Sequence, residues 1–170
     1  MMLVATPPPS PSAGFVYIVG AGPGPLDLMT LRALDRLRSA EVVVHDRLIS
    51  SEVLDCIPEG AERVYVGKAL GNHAVPQSGI HELLVRHARQ GKRVVRLKGG
   101  DPYVFGRGGE EVQALQAAGV AFEVVPGVTA ASGCSAAAGI PLTHRDLASS
   151  CIFLPGHLAD DSANTDWVSL

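Results

Sequence analysis

The densest chemistry in the sequence is the run Lys98-Gly99-Gly100-Asp101-Pro102, continued by Phe105-Gly106-Arg107-Gly108-Gly109-Glu110-Glu111. Five glycines, two cations and three acids fall within fourteen residues, directly after a short apolar run. A plain connection is shorter and carries fewer special residues. Gly99-Gly100 lets a ligand come up against the backbone, and Asp101 offers a carboxylate to a hydroxyl or an ammonium. Glu110 and Glu111 suit the first turn of a helix on dipole grounds alone, so they are read as structural.

Three other loops carry weaker signals. Gly20-Ala21-Gly22-Pro23-Gly24 follows an apolar run and precedes a helical pattern. Two ligand readings compete there with a purely structural turn: a nicotinamide fingerprint and the nucleoside-binding turn of a methyltransferase fold. The G-x-G-x-x-G spacing breaks at Pro25, and Pro23 removes a backbone N–H from any phosphate cradle. Asp46 stands where a ribose-binding acid would stand, but Arg47 beside it suits an anionic ligand, and the bare alternative is an exposed Asp-Arg turn. Pro126-Gly127-Val128-Thr129-Ala130-Ala131-Ser132-Gly133 leads small residues into a helix, with Thr129 as its cap. The six histidines form no ligand pair, so no metal site is expected. Cys56, Cys134 and Cys151 are too few and too scattered for a disulfide framework and read as reduced thiols of the cytosol.

The elements that must position these loops alternate regularly. Apolar runs at residues 15–19, 41–45, 63–66, 93–97 and 120–125 read as strands. Helical spacing follows them: Leu28, Leu31, Leu34 and Leu37; a short helix from Ser50 or Ser51 to Cys56; Ile80, Leu83, Leu84 and Ala88, stopped by Gly91; Val112, Leu115 and Ala118, stopped by Gly119; and an Ala-rich stretch over 128–138. Strand and helix in alternation predict an α/β domain, a five-stranded parallel sheet flanked by helices. Such sheets bind ligands outside the carboxyl ends of their strands, where this chain collects its glycines and charges. Residues 1–13 read as a Pro- and Ser-rich disordered leader, 14–139 as one domain, 140–147 as an extended linker and 148–170 as the start of a second domain, with a further strand at 151–154.

The totals bound the function. With 170 residues, 46% of them hydrophobic and a formal charge of −3, the chain suits one globular core and gives nucleic acid no electrostatic purchase. Residues 3–5 are too short an apolar run for a signal peptide. The charge-free stretch 124–143 is broken by Pro126, Gly127, Gly133, Gly139 and Pro141, so no membrane span is expected.

Taken together the loops resemble those of the uroporphyrinogen-III C-methyltransferases, of the tetrapyrrole methylase family. The resemblance rests on Val19 through Gly24, Asp46-Arg47-Leu48, Val66-Gly67-Lys68, Arg96 through Pro102, Phe105 through Glu111, Val125 through Ala131 and Gly139-Ile140-Pro141-Leu142-Thr143-His144-Arg145, seven motifs in order. It implies methyl transfer from S-adenosylmethionine to carbons 2 and 7 of uroporphyrinogen III, giving precorrin-2, on the way to sirohaem and cobalamin. It implies that Pro23, Gly99, Gly100, Asp101, Val104, Thr129 and Ala130 contact the methyl donor, that Asp46 is the proton acceptor and that Lys68 is the proton donor. The substrate's acetate and propionate arms need cations, and we read Arg47, Arg107 and Arg145 as their partners. His45 stands where the family has Tyr. The family also has a second α/β domain that closes over the donor, so this chain is expected to be cut short after its first domain. A homodimer in the cytoplasm is the implied setting. The rival readings are a non-catalytic remnant that binds tetrapyrrole or a partner chain, and a nicotinamide-dependent oxidoreductase.

Overall fold

The computed structural model describes residues 14–67 and 75–154. The expected leader, the proton donor Lys68 and most of the expected second-domain segment lie outside the described residues.

The elements are β1 (Phe15–Gly20), α1 (Leu31–Arg38), β2 (Val42–His45), α2 (Ser51–Leu54), β3 (Glu62–Tyr65), α3 (Gln77–Arg89), β4 (Arg93–Lys98), α4 (Gly108–Ala117), β5 (Phe122–Val125) and α5 (Ala130–Ala138). The five strands form one sheet in the order β3-β2-β4-β1-β5, and every neighbouring pair is parallel. The expected α/β class and strand count are therefore those observed.

Strand alternation divides the core between two faces. On one, Val19, Val43, Val95 and Leu97 pack with Ala33 and Leu37 of α1 and with Val53 of α2. On the other, Val16, Ile18, Val42, Val44 and Val94 pack with Ile80 and Leu84 of α3 and with Val112 and Leu115 of α4. Both faces are covered, as a parallel sheet requires. Arg96 and Lys98 fall on the second face by the same alternation, and both are buried.

Local differences from the sequence reading have identifiable causes. Residues 26–28 make a separate 3-10 turn. Helix α1 starts afresh at Leu31, where the Thr30 hydroxyl accepts the Ala33 N–H at 3.2 Å. That start sets the helical phase, so Ala33 and Leu37 face the core, whereas Leu31 is 88% exposed. The Ser50 hydroxyl caps α2 and also donates to the Gly24 carbonyl at 2.7 Å, tying the first glycine turn to the helix. The extended linker is interrupted by a tight turn, in which the His144 N–H donates to the Ala148 carbonyl at 2.9 Å. The further strand expected at 151–154 is not seen: these residues have no regular structure and pair with no strand among the described residues. An isolated extended segment has no neighbour to hydrogen-bond and so is not a strand. Among the described residues no helix is long and apolar enough to cross a membrane.

Candidate functional site

Three strand ends meet backbone to backbone at the carboxyl edge of the sheet. A Cβ built on Gly127 would lie 2.3 Å from the Gly100 carbonyl oxygen and 2.9 Å from Gly20 Cα, and one on Gly20 would lie 2.6 Å from the Gly127 nitrogen. Gly22 and Gly100, both at positive φ, exchange two hydrogen bonds of 3.2 and 2.7 Å. Asp101 fastens the third loop to them: one oxygen accepts the Gly127 N–H at 3.1 Å and the other the Tyr103 N–H at 2.8 Å. The glycines at β1, β4 and β5 are thus needed first for each other, and the joint they make is the floor of a cleft.

That cleft has a volume of about 590 Å³. Its wall includes all seven residues expected to meet the methyl donor: Pro23, Gly99, Gly100, Asp101, Val104, Thr129 and Ala130. Leu48, Phe105 and the exposed apolar residues Ile152, Phe153 and Leu154 also line it. Thr129 is the N-cap residue of α5, but contrary to expectation its side chain makes no capping bond. Its hydroxyl is left available at the cleft, next to the unsatisfied N–H groups of the first helical turn. Gly133 lets α5 pack onto Pro23, since a Cβ there would sit 2.6 Å from two ring carbons.

The same geometry removes support from the nicotinamide reading. A dinucleotide fingerprint needs its glycine turn to run straight into a helix whose N-terminus takes the pyrophosphate. Here the 3-10 turn stands between Gly24 and α1, and α1 is closed by its own Thr30 cap.

Behind Leu48 lies a charged cluster on the α3/α4 face. Arg96 Nε donates to Glu111 Oε1 at 2.9 Å, and Arg96 Nη2 to Asp46 Oδ2 at 3.3 Å. Lys98 Nζ and Gln77 Nε2 also donate to Glu111 Oε1, at 3.1 and 3.3 Å. Glu111 is wholly buried, and its second oxygen has no hydrogen-bond partner among the described residues. Burial pushes the Lys98 ammonium below the ordinary lysine range; Arg96 beside it adds to that shift and Glu111 opposes it. Glu111 therefore does more than complement a helix dipole. The sequence signal for it was the pair Arg96 and Lys98, two cations on one face of a buried strand, which demand a buried acid.

Asp46 is part-buried at the end of β2, off the cleft wall, with its other oxygen accepting the Leu48 N–H at 3.0 Å. The three arginines assigned to substrate carboxylates are all exposed, and none lies on the cleft wall. Arg107 is bound in a fork to Glu110, at 2.8 and 2.7 Å, which raises the guanidinium pKa and lowers that of the carboxylate. Arg47 and Arg145 have no ion-pair partner among the described residues. No cluster of three or more His, Cys, Asp or Glu side chains that could hold a metal occurs among the described residues.

Known proteins share this architecture. The chain is 61% identical over 157 residues to a sirohaem synthase of Acinetobacter baylyi and 60% identical over 158 residues to one of Chromobacterium violaceum. It covers 34% of each of them, and they cover 92% and 93% of it, so the chain spans about a third of the length of these curated relatives. The crystal structure of uroporphyrin-III C-methyltransferase from Thermus thermophilus superposes with a TM-score of 0.69 at 54% identity, over 78% of this chain and 55% of that one. A complex of the Thermus enzyme with S-adenosyl homocysteine superposes at 0.66 with 53% identity, over 81% of this chain and 53% of that one. Residues 16–169 match the tetrapyrrole (corrin/porphyrin) methylases, and with a sheet, a glycine joint and relatives that agree, the chain belongs to that family.

Proposed function

We propose that the chain is the donor-binding part of an S-adenosylmethionine-dependent C-methyltransferase that converts uroporphyrinogen III into precorrin-2 by methylation at carbons 2 and 7. The observation that carries this reading is the cleft: residues from three loops, spread over more than a hundred positions, line one cavity of about 590 Å³ beside a joint that only glycine can form. The residues present fit the donor. Gly99 and Gly100 leave room against the backbone, the free Thr129 hydroxyl and first-turn N–H groups of α5 offer hydrogen bonds, and Leu48, Val104 and Phe105 offer apolar cover.

The donor, when bound, supplies an electrophilic methyl on a sulfonium. A nucleophilic ring carbon of the substrate forms the new C–C bond, the S–C bond breaks and sulfur keeps its electron pair. The ring is left cationic and must shed a proton. In this reading Asp46 stabilises the cation and takes that proton, as a positioned carboxylate can. Its place off the donor wall suits a group that meets the acceptor. Lys68 as proton donor, and Arg47, Arg107 and Arg145 as partners of the substrate's carboxylates, belong to the same proposal, with Arg107 exchanging Glu110 for substrate. So do the division at residues 139 and 148, a homodimer and a cytoplasmic setting.

The test is transfer of labelled methyl from S-adenosylmethionine to uroporphyrinogen III by this chain under reducing conditions. The proposal expects product heavier by two methyl groups. Donor binding without transfer would leave a binding remnant instead.

A further inference from the structure

The buried ion cluster sits where the fold alone would place aliphatic side chains. Around it the sheet residues Ile18, Val44 and Val94 pack with Val112 and Leu115 of α4 in an apolar cluster. A buried ion pair is weak support for stability, because desolvation offsets most of the attraction and apolar groups of similar volume serve as well. The cluster therefore calls for a second reason, and its geometry supplies one.

Arg96 is 3% exposed, and its guanidinium is engaged in several directions. Nε is held by Glu111, Nη1 donates to the carbonyls of Val44 and Leu97 at 3.4 and 3.1 Å, and Nη2 reaches Asp46. Glu111 is fixed in turn by Lys98 and Gln77. The strand register explains the reach: Arg96 pairs with Val44, and Asp46 is two residues further along on the same face. Asp46 is the one ionised member of the cluster open to solvent, with 28% of its side chain exposed against 4% for Arg96, 6% for Lys98 and 0% for Glu111. Arg96, itself fixed through Glu111 by Lys98 and Gln77, is thus the buried group that reaches this carboxylate at the carboxyl edge of the sheet.

We infer that Arg96, locked by Glu111, is a positioning residue for Asp46: it holds one carboxylate oxygen while the other holds the Leu48 N–H on the rim of the cleft. The guanidinium fixes the carboxylate's orientation and keeps its negative charge aimed at the ring that turns cationic. This rests on the reading of Asp46 as proton acceptor. It goes beyond that reading in naming the group that acts through it.

The experiment compares the full chain with Arg96→Lys and with the triple variant Arg96→Met, Lys98→Met, Glu111→Leu, which removes the fully buried charges together and leaves only the solvent-reaching Asp46 without its partner. Three quantities are read: the melting temperature, the turnover number and KM for methyl transfer, and the amide NMR signal of Leu48. The inference expects both variants to fold and to keep KM for the donor within about twofold, while the turnover number falls about tenfold or more, a part of what a placed base contributes. The Leu48 amide signal moves in both, because its acceptor is no longer held. A triple variant with unchanged turnover would overturn the inference and leave the function standing. Should the triple variant not fold, Arg96→Lys, which keeps the charge and loses the fork, decides alone by the same split. Should the unaltered chain transfer no methyl, the proposed function fails. The Leu48 signal then still judges the positioning: unmoved in Arg96→Lys, it sinks the inference.

Discussion

Asp101 spends both carboxylate oxygens on the protein itself, joining the loop after β4 to the loop after β5. The sequence pointed to it as a ligand group; the structure adds that it holds the cleft together. Each oxygen keeps a second lone pair for a ligand. Asp101→Ala therefore costs about 1–3 kcal/mol of stability by stranding two N–H groups, and weakens S-adenosylhomocysteine by a similar amount. Asp101→Asn, which keeps one acceptor, should cost less of both. Urea titration and calorimetry measure the two, and a loss of affinity with no loss of stability would contradict the double role. At this scale the sequence was legible where a residue type has one use, as with Gly99-Gly100-Asp101. It misled where a local explanation sufficed. An acid in the first turn of a helix needs no partner, so Glu111 passed as a dipole complement, although its partners Arg96 and Lys98 stood in a strand fifteen and thirteen residues away. Thr129 misled in the same way, since a threonine at a cap position reads as a cap.

Strands β1, β2, β4 and β5 were legible as elements because each is centred on a short apolar run, whereas β3, Glu62–Tyr65, is a mostly exposed edge strand carried by the alternation of strand and helix. Helices α3 and α4 were legible because Gly91 and Gly119, at φ +81° and +67°, end them. The phase of α1 was not, because four leucines at helical spacing outweighed Thr30, whose cap decides where the helix begins. The stretch 151–154 shows the converse: with no partner strand among the described residues, β-forming residues do not make a strand. What no periodicity could show is the glycine joint, which depends on three loops meeting. It gives a sharp prediction. Gly127→Ala puts a methyl into the Gly100 carbonyl and the Gly20 backbone, none of which is a flexible side chain, and should cost about 3 kcal/mol or more and abolish donor binding. Gly109→Ala, in the first turn of α4 with nothing within 4 Å and no positive φ, should stabilise by about 0.5–1 kcal/mol. Equal melting temperatures for the two variants would refute the joint.

Across the whole molecule, stability should fall in mild acid through one group far from the cleft. His87, on the last turn of α3, is 4% exposed, and neither ring nitrogen has a hydrogen-bond partner among the described residues. Burial lowers its pKa from the usual 6.5; Glu62, 3.9 Å away, opposes that shift, and Lys92 and Arg86 reinforce it. The unfolded chain therefore takes up a proton that the folded chain resists. His87 costs nothing above pH 6.5, and stability declines as pH falls below it toward the folded pKa, with a slope of at most about 1.4 kcal/mol per pH unit. Urea midpoints between pH 7.5 and pH 5 should show this slope, and His87→Gln should flatten it whatever its effect at neutral pH; an unchanged slope would assign it elsewhere. At the opposite edge of the sheet, loops from β1, β4 and β5 build the cleft that we assign to a methyl donor. Calorimetric titration of the chain with S-adenosylhomocysteine and, separately, with NAD tests that assignment most directly. One saturable site for S-adenosylhomocysteine, lost in Gly127→Ala, and no heat from NAD are expected; binding of NAD with none of S-adenosylhomocysteine would contradict the assignment.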